Sequence, residues 1–164
     1  MTTQTLLPRA VAVPTPQRTA APTATQRSTR ILLVEDEPLT AEVFARALAR
    51  DGFVVDVARD GRQALRKFLD QVPSLCVLDI SLPALSGVDV VRELRAKGHH
   101  DLPIVIVSGS ARRATDLTAG ELWPGAWLDK PVKPKDLVAV VREFVHDGEQ
   151  RAGGAVGTSG PRTR

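Results

Sequence analysis

Five short apolar runs alternate with five segments of helical period along the middle of this chain. The apolar runs are ILLVED at 31–36, FVVDV at 53–57, SLCVLD at 74–79, IVIVS at 104–108 and AWLDKP at 126–131. Each run has strand length, and nearly continuous hydrophobicity is typical of strands that are buried on both faces. Strict alternation of strand and helix predicts an α/β fold, with one parallel sheet covered by helices on both faces.

The helical segments carry start signals and apolar faces. Pro38 and Pro134 stand where a missing N–H costs nothing, so we expect the first and last helices to begin there. The weakest helical pattern lies at 111–124. The residues predicted to face the core are Leu39, Val43, Phe44, Ala47 and Leu48 in the first helix, Ala64, Leu65, Phe68 and Leu69 in the second, Val88, Val91 and Leu94 in the third, and Leu137, Val138, Val141, Phe144 and Val145 in the last.

Four of the apolar runs end on residues that handle phosphate or metal. Glu35, Asp36, Asp79, Ser108 and Lys130 occupy these ends, and open α/β sheets bind ligands at the edge where the strands end. Three carboxylates brought together repel one another unless a hard cation such as Mg²⁺ holds them. A lysine and a hydroxyl beside them suit a phosphoryl group, and one carboxylate could be its covalent acceptor.

The basic charge of the chain lies outside its patterned part. Residues 1–30 carry +4 and residues 147–164 carry +1, so the total of +3 leaves residues 31–146 at −2. We therefore expect a domain over 31–146 with no basic face for nucleic acid, between disordered tails at 1–30 and 147–164. The Arg-rich and acid-poor N-terminal segment also resembles an organelle transit peptide, although its four prolines favour a disordered tail.

Cysteine content and hydropathy predict a cytoplasmic protein. The single cysteine, Cys76, lies within an apolar run and is expected to be a buried, unpaired thiol in a reducing compartment. No apolar stretch reaches the length that is needed to cross a membrane.

Four motifs together resemble the receiver domain of two-component response regulators. They are LLVEDEP at 32–38, VLDISLPALSG at 77–87, IVIVSGS at 104–110 and LDKP at 128–131. The resemblance covers residues 31–146 and implies a flavodoxin-like, doubly wound sheet of five strands with the order 2-1-3-4-5. It also implies a phosphorylation-controlled binding module rather than an enzyme, with at most self-phosphorylation and self-dephosphorylation activity.

Site residues carry over from the family position by position. By resemblance, Asp79 is the phosphoacceptor, Asp36 and Asp79 ligate Mg²⁺ directly, Glu35 acts through water, and the backbone carbonyl of Ser81 completes the protein ligands. Lys130 and Ser108 are expected to bind the phosphoryl oxygens, and Lys130 precedes a proline whose peptide bond is usually cis in this family. Ser108 and Trp127 form the expected switch pair, although Trp127 stands where the family usually has tyrosine or phenylalanine.

The resemblance implies that the phosphoryl group comes from a histidine kinase or a histidine phosphotransfer protein. Because residues 147–164 are too few for a DNA-binding output domain, we expect a stand-alone receiver that signals to an unknown downstream protein. Two alternatives remain open: a phosphate-independent pseudo-receiver scaffold, which the complete set of acids, hydroxyl and lysine disfavours, and an aspartyl-phosphate phosphohydrolase. Such hydrolases typically have a second acid two residues after the nucleophile, where this chain has Ser81. His99 and His100 are expected to be exposed loop residues, and the sequence assigns them no role.

Overall fold

A computed structural model describes residues 29–109 and 116–153, with side chains described up to residue 147. Its strands and helices alternate as the sequence predicts. In chain order they are β1 (Arg30–Val34), α1 (Pro38–Arg50), β2 (Val54–Ala58), α2 (Gly61–Asp70), β3 (Leu75–Leu78), α3 (Gly87–Ala96), β4 (Ile104–Ser108), α4 (Ala119–Leu122), β5 (Gly125–Asp129) and α5 (Pro134–Gly153).

The five strands form one sheet in the order β2-β1-β3-β4-β5, and all four neighbouring pairs are parallel. The predicted fold class and strand order are therefore confirmed. Val34 pairs with Leu78 in the register of β1 and β3, and Asp79 N–H donates to the Val34 carbonyl at 3.0 Å. The residues that follow these two central strands consequently leave the sheet side by side.

Successive residues of the strands point alternately into two hydrophobic cores, one on each face of the sheet. One core joins the strands to α1 and α5, and its members are Ile31, Leu33, Phe44, Leu48, Leu75, Val77, Val105, Val107, Leu137 and Val141. The other joins them to α2, α3 and α4, and includes Leu32, Val34, Phe68, Cys76, Leu78, Val91, Leu94, Ile104, Ile106 and Leu122. Burial of both faces explains why these runs are apolar throughout rather than alternating with polar residues.

Three residues that were predicted to face the core lie at the surface instead. Leu39 is 70% exposed, Val43 is 49% exposed and Leu69 is 67% exposed. In α1 the buried residues are Ala41, Phe44 and Leu48. The predicted apolar stripe was thus wider than the stripe that packs on the sheet, because apolar residues also occur singly on protein surfaces.

The ends of the chain lie partly outside the described residues. The last helix continues past the expected boundary at residue 146 as far as Gly153. The expectation of disordered tails falls otherwise on residues 1–28 and 154–164, which the structure does not describe, so it stays a prediction. Over the described range, no helix has the length and hydropathy that a membrane crossing requires.

Candidate functional site

Three acidic residues meet where β1 and β3 end. Glu35 and Asp36 directly follow β1, and Asp79 directly follows β3. One carboxylate oxygen from each of the three lies within 4.8 Å of the others. The acid cluster predicted from the strand ends is therefore assembled in the fold, although Asp79 is far from Glu35 and Asp36 in the chain.

The three acids differ in exposure and in what holds them. Glu35 is 2% exposed and Asp79 is 5% exposed, whereas Asp36 is exposed to solvent. Asp79 Oδ1 accepts a hydrogen bond from Ser81 N–H at 2.8 Å, and Glu35 Oε1 accepts one from Glu37 N–H at 3.3 Å. Glu37 provides the side chain that caps α1, so the cap does not require the Asp36 carboxylate.

Lys130 joins the two buried acids. Its Nζ donates to Glu35 Oε2 at 2.8 Å and to Asp79 Oδ2 at 2.5 Å. Burial acts to lower the pKa of Lys130, but the hydrogen bonds to Asp79 and Glu35 outweigh burial and raise the pKa above its usual value. The lysine is therefore held as a cation against the carboxylates over the physiological pH range.

The register of β4 and β5 places the predicted hydroxyl beside the lysine. Ser108 is fully buried at the end of β4 and pairs with Asp129. Its carbonyl accepts a hydrogen bond from Lys130 N–H at 2.9 Å. The Lys130–Pro131 peptide bond is cis, as the resemblance implies.

The predicted aromatic switch residue packs on the other side of the sheet from α1 and α5. Trp127 is partly buried against the core that involves α2, α3 and α4. Its indole Nε1 donates to Asp129 Oδ1 at 2.9 Å. In the register of β4 and β5, Trp127 pairs with Ile106, two residues before Ser108. The structure therefore places the indole near the strand that carries the hydroxyl.

The segment between β3 and the start of α3 folds back onto the backbone of Asp79 and Ile80. A Cβ added at Gly87 would lie 2.2 Å from the backbone oxygen of Asp79, so this position requires glycine. Ala84, in the same loop, has a φ of 66°, a backbone conformation that residues with a Cβ rarely adopt. The predicted roles of Ser81 as a metal ligand and of the other site residues stay predictions, because they concern bound groups.

The chemistry of the donor set fits a magnesium ion. Hard oxygen ligands from one or two carboxylates, with water at the other positions, are the usual protein environment of Mg²⁺. Glu35, Asp36 and Asp79 offer such oxygens at one place, and the exposure of Asp36 leaves the cluster open to solvent. These residues would hold the ion, and its positive charge would offset their mutual repulsion.

Two arginines, Arg59 beside the cleft and Arg95 away from it, make contacts that the sequence analysis did not predict. Arg59 Nη1 lies 3.4 Å from the carbonyl oxygens of Glu35 and Glu37. Arg95 is only 7% exposed, although arginine is usually a surface residue. Its guanidinium donates to the carbonyls of Leu102 at 3.0 Å and Glu121 at 2.9 Å. The sequence has no pattern that marks these two arginines among the others.

His99, His100 and Cys76 lie outside the acid cluster. His100 is exposed as predicted, whereas His99 is partly buried, with its ring edge-to-face against Phe68 at a centroid distance of 4.6 Å. Cys76 is buried and unpaired, which confirms that prediction, and burial raises the pKa of its thiol to about 12.

Comparisons with known proteins converge on one family. The family model described as the response regulator receiver domain matches residues 31–142. The alkaline phosphatase synthesis transcriptional regulatory protein SphR of Synechococcus elongatus is 34% identical over 142 residues, which cover 81% of this chain and 55% of that protein. The DNA-binding response regulator MtrA of Mycolicibacterium smegmatis is 39% identical over 120 residues, which cover 73% of this chain and 52% of that protein.

A solved structure of a response regulator is also similar to this chain. The response regulator protein TrrA of Thermotoga maritima, crystallised in complex with Mg²⁺ and BeF, superposes with a TM-score of 0.63 and 30% identity, covering 71% of this chain and 98% of that one. By contrast, the chain spans about half the length of the curated relatives SphR and MtrA.

Proposed function

The chain belongs to the response regulator receiver family, and on this premise we propose that its cleft accepts a phosphoryl group on Asp79. The observation that carries the proposal is the contact of Lys130 Nζ with both Glu35 and Asp79, beside the exposed carboxylate of Asp36. This arrangement joins a nucleophile, a cation and a set of metal ligands in one place. The family implies each of these parts, and the sequence supplies all of them.

The proposed reaction is a transfer from a phosphohistidine. An oxygen of the Asp79 carboxylate attacks phosphorus and forms a new O–P bond, while the N–P bond to the donor imidazole breaks and the imidazole keeps the electron pair. Bound Mg²⁺ supplies positive charge for the phosphoryl oxygens. Lys130 neutralises a further share of that charge, and the hydrogen bond from Ser81 N–H to Oδ1 fixes the orientation of the Asp79 carboxylate.

The proposed upstream partner is a protein that carries a phosphohistidine. A histidine kinase or a histidine phosphotransfer protein supplies the phosphoryl group, and the domain itself acts as a phosphoacceptor with at most self-phosphorylation and self-dephosphorylation activity. MtrA is a DNA-binding response regulator by name, but the charge of −2 over residues 31–146 supports the proposal that the receiver itself contacts proteins rather than DNA. Stand-alone action stays a prediction, which the size of the native protein on an immunoblot would test.

Phosphorylation of the full chain tests the proposed function. After incubation with Mg²⁺ and acetyl phosphate, we expect one acid-stable, base-labile phosphoryl group, detected by intact-protein mass spectrometry. Asp79→Asn should abolish the modification, while Asp89→Asn, at an exposed position in the first turn of α3, should keep it. Unchanged labelling of the Asp79→Asn protein would show that the phosphoacceptor lies elsewhere.

The switch pair can be followed in the same samples. Trp127 and Trp123 are the two tryptophans of the chain. We propose that Ser108 turns toward the phosphoryl group and that the Trp127 indole then shifts. With beryllofluoride and Mg²⁺, a change in tryptophan fluorescence should survive Trp123→Phe and disappear in Trp127→Phe. A change that follows Trp123 instead would refute the coupling between Ser108 and Trp127.

A further inference from the structure

Arg59 contacts the loop that carries the exposed metal ligand. It follows β2 and precedes the N-cap of α2. Its Nη1 lies 3.4 Å from the carbonyl oxygen of Glu35 and 3.4 Å from that of Glu37. These two carbonyls belong to the residues on either side of Asp36. One guanidinium thus holds the backbone before and after the most exposed member of the acid cluster.

The start of α2 fixes the position of Arg59 in turn. Its backbone N–H donates to Gln63 Oε1 at 2.6 Å, and Gln63 N–H donates to the capping side chain of Asp60 at 2.7 Å. On the other side, Glu35 N–H donates to the carbonyl of Ala58 at 3.1 Å. The loop after β1 and the loop after β2 are therefore joined both by backbone and by the Arg59 side chain.

We propose that Arg59 is a positioning residue for the metal site: it holds the loop between β1 and α1 so that the Asp36 carboxylate converges with those of Glu35 and Asp79. The inference rests on the proposed function, because it assigns to Arg59 a part in the Mg²⁺ affinity of the same cleft. Arg59 would touch neither the ion nor the phosphoryl group. It would act through the backbone on either side of Asp36.

Two effects of the Arg59 side chain on Mg²⁺ have opposite signs. The guanidinium charge near three acids repels an incoming cation, so removing the charge should strengthen binding. The two carbonyl contacts place a ligand, so removing them should weaken binding. Arg59 is exposed, and exposed charges are screened by water and salt. Loss of residues that orient metal ligands typically weakens affinity by about tenfold or more. The positioning effect should therefore prevail.

Mg²⁺ titration of the full chain separates the two effects. The affinity is measured by isothermal titration calorimetry and by the Mg²⁺-dependent rise in thermal unfolding temperature. We expect Arg59→Gln to weaken binding by about three- to tenfold, less than for many orienting residues, because both contacts are long and the one to Glu37 is exposed. Arg59→Lys should also weaken it, since a lysine ammonium keeps the charge but lacks the planar reach of the guanidinium.

A matched control removes the same charge elsewhere. Arg62 is exposed on α2, three residues after Arg59, and Arg62→Gln should leave the Mg²⁺ affinity unchanged. Tighter binding by Arg59→Gln, with Arg59→Lys equal to the wild type, would show that the residue acts only by its charge and would overturn the inference. If Arg59→Gln fails to fold in the absence of Mg²⁺, the Arg59→Lys protein decides between the two outcomes.

The outcome for the wild type distinguishes this inference from the proposed function. A wild-type chain that binds no Mg²⁺, or whose binding is unaffected by Asp36→Asn, contradicts the metal site and overturns both proposals. A wild-type chain that binds Mg²⁺ through Asp36, together with an Arg59→Gln protein of equal or higher affinity, overturns only the role of Arg59.

Discussion

At the scale of single residues, Ala84 carries backbone strain in the loop that follows the proposed phosphoacceptor Asp79. Its φ is 66°, and Leu85 N–H donates to the Pro83 carbonyl at 2.8 Å, which closes a three-residue turn around it. Turns of this kind with positive φ are rare, and a Cβ in the left-handed region costs roughly 1–2 kcal/mol. Ala84 is exposed, so burial of its methyl group does not offset that cost.

Glycine at position 84 is expected to stabilise the domain. Ala84→Gly removes the Cβ strain but adds freedom to the unfolded chain, so the free energy of unfolding should rise by only about 0.5 kcal/mol. Ala84→Val, which adds branching at the strained position, should lower it by about 1 kcal/mol or more. Urea denaturation measures both variants against the wild type. A less stable Ala84→Gly protein would mean that Ala84 is not strained.

The site residues differ in how far the sequence could predict them. Asp79 and Lys130 could be predicted because each follows an apolar strand, and the ends of parallel strands meet at one edge. The contacts of Arg59 could not be predicted, because they depend on carbonyl oxygens whose positions are known only once the backbone is folded. The same holds for Ala84, since alanine gives no sign of a positive φ.

At the scale of elements, α4 is a short helix held by its neighbours. It has four residues, too few to be stable alone. Thr118 N–H donates to Glu121 Oε2 at 2.7 Å, and Glu121 N–H donates back to Thr118 Oγ1 at 3.2 Å. On α3, Arg92 Nε donates to Glu121 Oε1 at 2.9 Å. Within the predicted segment 111–124, of which residues 111–115 lie outside the described residues, α4 is thus held by its cap and by α3.

The Glu121 cap makes the free energy of unfolding depend on pH in the acidic range. The hydrogen bonds from Thr118 and Arg92 lower the pKa of Glu121 from 4.5 to about 2. Because the folded-state pKa is depressed, the ionised carboxylate contributes stability above pH 4.5, and this contribution is lost as the pH falls toward 2. Glu121→Gln should therefore be less stable than the wild type at pH 6.

The pH profile of that difference is the test. The gap in unfolding free energy between Glu121→Gln and the wild type should narrow as the pH falls from 4.5 toward 2, as followed by denaturation at each pH. Glu93→Gln, which removes an exposed carboxylate paired with Lys97 on α3, serves as the control and should show a smaller gap. A gap that stays constant over this range would argue against the ionised cap.

At the scale of the whole molecule, the sheet begins before residue 31, where the match to the receiver family model starts. Val54 N–H donates to the Thr29 carbonyl at 3.0 Å, and Ser74 N–H donates to the Arg30 carbonyl at 2.8 Å. The Arg30 guanidinium also pairs with Asp56 across β1 and β2. Residues 29 and 30 thus complete the sheet although the family model begins at residue 31.

Two truncated chains test this edge. A chain of residues 29–153 should match the full chain in unfolding free energy, whereas a chain of residues 31–153 should lose about 1–3 kcal/mol, because two backbone hydrogen bonds and one ion pair are removed. Both are measured by urea denaturation. Equal stability of the two fragments would show that Thr29 and Arg30 contribute little to the sheet.

Because β3 is buried on both faces, the fold should tolerate the deletion of one of its residues better than the cleft does. Leu75–Leu78 are all buried, so a strand shortened by one residue still presents apolar side chains to both cores. The shortened strand would nevertheless withdraw Asp79 from the edge of the sheet by about 3.3 Å, out of reach of Lys130. Loss of one residue from this strand would therefore keep much of the fold but separate Asp79 from Lys130. A single deletion could in this way turn a phosphoaccepting receiver into one that keeps the fold without accepting phosphate.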